Sequence, residues 1–161
     1  MNIILGIIIG GVILFFWNGL SQAIIPWGIK SVGEHPDPDE LGEVIAKGTT
    51  SGMVYITKRV AAFIAIKPES YYSIPRYFMI EFGTQLLTSV VLVTILALTQ
   101  SLSNEVRLAL VGLVGLASVT SVDMQYWNWW GFSTRYTIGV AVNRLVGYLL
   151  AGGVLISIIS A

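Results

Sequence analysis

Tyr126-Trp127-Asn128-Trp129-Trp130-Gly131-Phe132 decides how this chain is to be read. Three of the chain's five tryptophans fall in this stretch, between two long apolar runs. An indole ring has an apolar body and a single N–H donor, so it settles where hydrocarbon meets hydrated headgroups. The stretch therefore marks a membrane boundary, an interfacial loop over 127–135 closed by Arg135. Anchoring alone accounts for Trp127, Trp129 and Trp130. A sharper reading has these rings, with Asn128 and Arg135, wall a shallow pocket for a lipid headgroup, a quinone or a partner helix.

Outward from the belt, the flanking runs predict one membrane-spanning helix over 106–126 and another over 136–159. Each approaches or exceeds the roughly 18 apolar residues that mark a bilayer span. Composition agrees. The 161 residues are 55% hydrophobic and 11% charged, with a mean hydropathy of +0.77, more apolar than a soluble core requires. Nine basic residues cancel nine acidic ones, so nothing favours nucleic acid as a partner or strong attraction to anionic lipid. The absence of cysteine excludes disulfides, a thiol nucleophile and thiolate metal centres.

The chain opens with an uncharged run over 3–25, read as the first span. Gly6 and Gly10 form a small-xxx-small pair that admits a neighbouring helix. Ser21-Gln22-Ala23 resembles a signal-peptide cleavage site, but no basic segment precedes the run, and we expect it to be retained. Trp17 and Trp27 sit where interface anchors belong, with Pro26 as a stop. Residues 26–76 are polar and are expected outside the membrane as a small α+β segment. Asp39 is the N-cap expected for a helix over 40–47 with Gly48 as its stop. Met53–Thr57 and Val60–Ile66 have strand composition, and Lys58-Arg59 would turn between them. A second span is predicted over 77–99. A short link then leads into 106–126, making those helices antiparallel neighbours. In the last span Gly139, Asn143, Gly147 and Ala151 recur every four residues, a flat seam for close packing. The expected fold is thus an all-α transmembrane four-helix bundle with a small appendage between its first two helices.

Four spans put both termini on one side and the polar segment with the belt on the other. Glu81, Asp123 and Arg144 then share one half of the bilayer, Arg144 lying roughly 13 Å into its helix. A lone charge near the bilayer centre costs several kcal/mol, so Arg144 needs a carboxylate, and Glu81 is the expected partner. Such a cluster fixes helix register, serves as a proton or solute relay, or contacts a partner subunit. Near the helix ends Lys30, Arg76 and Arg135 outnumber Arg107, which places the polar segment in the cytoplasm.

The belt, followed by Tyr136-Thr137 and Gly147-Tyr148-Leu149-Leu150-Ala151-Gly152, resembles the end of a family of small uncharacterised bacterial inner-membrane proteins with about four spans. The opening Gly10-Gly11-Val12-Ile13-Leu14-Phe15-Phe16-Trp17, then Ser21 and Pro26-Trp27, is similar to that family's glycine-rich first helix. The resemblance covers both ends of the chain and only weakly the middle. It implies an inner-membrane location with the N-terminus inside and the polar segment outside, the reverse of the charge count. Members usually carry Lys after Met, where this chain has Asn2, and often an acid where Asn143 stands. The family supplies no activity.

Catalysis finds little support. His35 is the only histidine and lies in a loop rich in proline and acids, so two-histidine zinc sites are excluded within one chain. Asp37, Asp39, Glu40 and Glu43 lack a calcium-loop pattern and read as a solvated helix start. No phosphate-binding glycine loop or Gly-x-Ser-x-Gly elbow occurs. We expect no metal, no cofactor and no enzymatic activity. The expected role is an accessory or structural subunit in a larger membrane complex or homo-oligomer, with lipids and other membrane subunits as partners. The alternative is a lipid-, quinone- or small-solute-binding or transport protein that uses Glu81, Asp123 and Arg144. A water- or ligand-filled cavity touching these side chains would favour the alternative.

Overall fold

The computed structural model describes residues 3–25, 36–47, 54–56, 63–65, 71 and 73–160. Four of its helices are long and apolar enough to cross a membrane: Ile3–Ile24, Ile74–Leu98, Asn104–Trp130 and Thr134–Ile159. Their outward faces are densely apolar, with Leu98 80%, Ile4 71% and Leu87 69% exposed. An apolar surface that wraps a bundle on all sides is what a lipid solvent requires and water forbids.

In chain order, α1 (Ile3–Ile24) is followed by α2 (Pro38–Ala46) and by β1 (Val54–Ile56) and β2 (Phe63–Ala65). Then come α3 (Ile74–Leu98), α4 (Asn104–Ser118), a π-helical turn (Val119–Asp123), α5 (Met124–Trp130) and α6 (Thr134–Ser160). Helix α6 is the central element, packed on α1, α3 and α4. Within its apolar window 39% of residues are buried, against 22% in each of the other three spans. Its seam runs through buried Gly139, Asn143, Gly147, Ala151, Leu155 and Ile159, one per turn. Helix α3 leans on α1 and α6, and it meets its sequence neighbour α4 far less extensively.

Close approach explains two of the glycines. A Cβ at Gly10 would lie 3.0 Å from Leu155 Cδ1 of α6 and closer still to Ser89 Oγ of α3, so α1 can sit against both helices only without one. A Cβ at Gly147 would come within 2.7 Å of Trp17 Cδ1, so the indole can press against α6 only without one. Gly6 faces Val93, and Gly139 is buried. Phe15 of α1 meets Phe78 and Phe82 of α3 edge-on, with centroids at 5.9 and 5.5 Å.

The interior divides in two along the bundle axis. Toward the termini it is apolar, built on Leu14, Leu92, Val93, Leu96, Val111, Ala151, Leu155, Ile156 and Ile159. Toward the polar segment it holds Ser21, Asp123 and Asn143, all buried. The apolar end also buries Ser89 and one charge, Arg107, which is 2% exposed. Its Nη2 donates to the Leu96 carbonyl (3.1 Å) and its Nη1 to Asn104 Oδ1 (3.1 Å). A cation thus caps the C-terminal end of α3, where orphan carbonyls and the helix dipole both favour it.

Several sequence expectations shift here. The third apolar helix does not stop at 126: α5 carries Trp127, Asn128, Trp129 and Trp130 inside a helix, and only 131–133 connect it to α6. Gly131, at φ 71°, ends that helix, with its own N–H and that of Phe132 turned back to the Tyr126 carbonyl. Helix α2 starts earlier than expected. Asp37, not Asp39, is the N-cap, accepting from Glu40 N at 3.0 Å, because Pro38 is favoured at the first helical position. The antiparallel pair joins Val54 to Ala65 and Ile56 to Phe63, and the turn expected at Lys58-Arg59 lies outside the described residues. Strands of three residues beside a nine-residue helix do not support the expected α+β segment, since an isolated two-stranded pair is marginal by itself. Gly48, Trp27, Lys30 and His35 lie outside the described residues.

Candidate functional site

Asp123 is the partner of Arg144. The guanidinium donates from Nη2 to Oδ1 at 2.9 Å and from Nε to Oδ2 at 3.2 Å, a bidentate pair between the π turn and α6. The Asp123 side chain is 6% exposed and that of Arg144 30%, so the acid is sealed while the base reaches an open space. The expected Glu81–Arg144 pairing does not form. Sequence spacing gives each residue's depth along its helix but not the direction it faces, and the π turn decides the latter. A five-residue turn with i→i+5 bonding inserts an extra residue into the helix and re-aims the side chain at its end. The hydroxyls of Thr120 and Ser121 donate to the Leu116 and Ala117 carbonyls at the start of that turn, where the backbone ladder changes step.

Glu81 instead heads a chain of amides. Its Oε1 accepts from Asn18 Nδ2 at 2.6 Å and from Gln85 Nε2 at 2.7 Å. Asn18 Oδ1 accepts from Asn143 Nδ2 at 2.7 Å, and Asn143 Oδ1 accepts from the Ser21 hydroxyl. Trp17 Nε1 donates to the Asn143 carbonyl at 2.9 Å. This chain crosses α3, α1 and α6, and at each step a donor meets an acceptor, which a polar group in hydrocarbon must find.

Between these three helices lies a cavity of about 400 Å³. Glu81 and Arg144 are the acid and the base on its wall, with Asn18, Gln22, Gln85 and Asn143 as neutral polar groups. Trp17, Tyr136 and Tyr148 supply aromatic walls. Thr84 and Thr88 line its α3 side.

The remaining sequence-selected residues lie elsewhere. Trp127, Trp129 and Trp130 are 43%, 68% and 42% exposed, and Asn128 and Arg135 beside them are exposed as well. Trp127 Nε1 donates to Thr134 Oγ1 at 3.1 Å, tying α5 to the start of α6. Tyr126 packs edge-on to Trp130 and Phe132. Gly6, Gly10, Gly139 and Gly147 are buried. Among the described residues, no three His, Asp or Glu side chains converge as a metal site. Sequence reasoning missed Asn18, Ser21, Gln22 and Gln85, and took Trp17 for an interface anchor. The available signal was the three-to-four-residue spacing of Asn18, Ser21 and Gln22 at the end of an otherwise apolar helix, and of Glu81 with Gln85 on the next.

Comparison with known protein families, with characterised proteins and with solved structures finds no match.

Proposed function

We propose that this chain is an integral membrane protein that binds the polar part of a small solute or lipid between α1, α3 and α6. In this reading Glu81 and Arg144 are its charged contacts, and Asp123 holds Arg144 in place. The observation that carries it is the cavity itself: about 400 Å³ with an acid and a base on its wall, within the bundle. That volume falls in the usual range for small-molecule sites, roughly 300–1,000 Å³. Polar groups inside a span are costly and mark ligand or ion pathways more often than they serve as filler. Of the glycines that pointed toward an accessory subunit, Gly6, Gly10 and Gly147 face neighbours within the chain, so these three lend no weight to an outside partner. The resemblance described above supports a bacterial inner membrane as the location, which fractionation of the native membranes tests.

The chain has no cysteine, so a single introduced thiol reports its own surroundings. Thr88→Cys puts a thiol on the cavity wall, and Leu87→Cys puts one on the lipid-facing side, where Leu87 is 69% exposed. In liposomes, a charged, water-soluble thiosulfonate reagent should modify Thr88→Cys at least about tenfold faster than Leu87→Cys, because only a hydrated thiol ionises. Equal rates would mean that no solvated cavity reaches this depth, and the reading would fall.

A further inference from the structure

A second hollow adjoins the cavity. It is an apolar groove of about 660 Å³ between the end of α1 and the start of α3, walled by Phe15, Phe16, Leu20, Tyr77, Phe78 and Ile80. Phe16, Leu20 and Phe78 are 66%, 58% and 58% exposed, so the groove opens on the lipid-facing side. Asn18, Gln22 and Glu81 line both the groove and the cavity. One molecule can therefore occupy both, with its polar end on one side of these residues and its apolar end on the other.

The polar side has a definite charge preference. Asp123 and Arg144 neutralise each other through two hydrogen bonds. Glu81 has only amide partners, both at Oε1, and no described residue engages its Oε2. Among the described residues its negative charge has no cationic partner, in a setting where isolated charge is expensive. Trp17, Tyr136 and Tyr148 line the same cavity, and the faces of such rings attract cations. A carboxylate with aromatic walls is the chemistry that recognises an ammonium group.

We propose that the ligand is an ammonium-bearing amphiphile, its cationic head in the cavity against Glu81 and its hydrocarbon chain in the groove between α1 and α3. This rests on the cavity being a ligand site. The head enters sideways from the bilayer, past the Asn18–Glu81 hydrogen bond. The same chemistry is offered by an aminophospholipid of the bilayer and by a free long-chain amine.

The test uses the full chain in nanodiscs of a neutral glycolipid, which itself carries no ammonium. Tetradecylamine, tetradecanol and tetradecanoic acid share a chain and differ in head charge, and their binding is measured against empty nanodiscs. The amine should bind at least about tenfold more tightly than the alcohol or the acid, a difference that requires no variant. Glu81→Gln should reduce the amine to the level of the alcohol. Gly19 lines the groove, and a Cβ there meets nothing within 4 Å, so Gly19→Leu adds bulk at the groove with no clash at Cβ. It should weaken amine and alcohol alike by about tenfold, through lost burial of chain methylenes. Displacement of the amine by added phosphatidylethanolamine identifies a bilayer lipid as the source, and failure to displace it identifies a free amine. Alcohol and acid binding as tightly as the amine would overturn the ammonium assignment and leave the ligand site standing. If none of the three binds and phosphatidylethanolamine does not either, the site itself is lost with the assignment.

Discussion

Asp123 and Arg144 show what a sequence can and cannot say about a buried charge. Their presence in apolar helices, and the half of the bilayer they share, were legible from spacing alone. Which acid meets the base was not, because that depends on helix azimuth and on a π turn that the run Ser118, Thr120, Ser121 hints at only by its hydroxyls. A sealed Asp123 left without Arg144 is an unpaired charge, and such a loss costs about 3–5 kcal/mol. Asp123→Leu and Arg144→Leu should each lower stability by about that much in unfolding titrations in mixed micelles. The double variant should lose far less than the sum of the two, since replacing both partners by apolar groups is often close to neutral. Strict additivity would show that the pair carries no coupling.

At the scale of elements, the aromatic stretch was placed correctly at the end of a span, but it is helix α5 rather than a loop. Composition identifies an interface, but it does not say whether the backbone there is still helical. The C-terminal stop at Gly131 was visible as a residue and unreadable as a boundary, because glycines recur throughout these helices. The π turn makes a sharper claim about register. An α-helix advances about 100° per residue, so deleting Leu113 from α4 rotates every later side chain away from its partner. Deleting Thr120 removes the extra residue of the π turn and lets α4 run into α5 as continuous α-helix, with both flanks still facing α6. The Thr120 deletion should fold with a thermal midpoint close to that of the unaltered protein, and the Leu113 deletion should not fold. Equal damage from both would show that the turn is not a register insertion. The polar end of α1 was passed over for a related reason: Trp17 was read as an interface anchor, while Asn18, Ser21 and Gln22 beyond it face the interior of the bundle.

For the whole molecule, the four long helices were legible because uninterrupted apolar runs admit little else. The division of the interior into an apolar half and a polar half was partly legible from the depth of the charges. The cavity was not, since it arises where three helices fail to close and no single stretch encodes it. Its position, with Glu81 on the wall it shares with the apolar groove, joins the charges, the amide chain and the open lipid face into one site. The cavity's role as a ligand site is tested most directly by native mass spectrometry of the protein purified from its own membranes, unaltered and as Glu81→Gln. The unaltered protein should retain a bound small molecule or lipid of defined mass, and Glu81→Gln should lose it while keeping its helical circular dichroism. An unaltered protein that emerges bare, or a variant carrying the same adduct in the same proportion, would contradict a ligand site at Glu81.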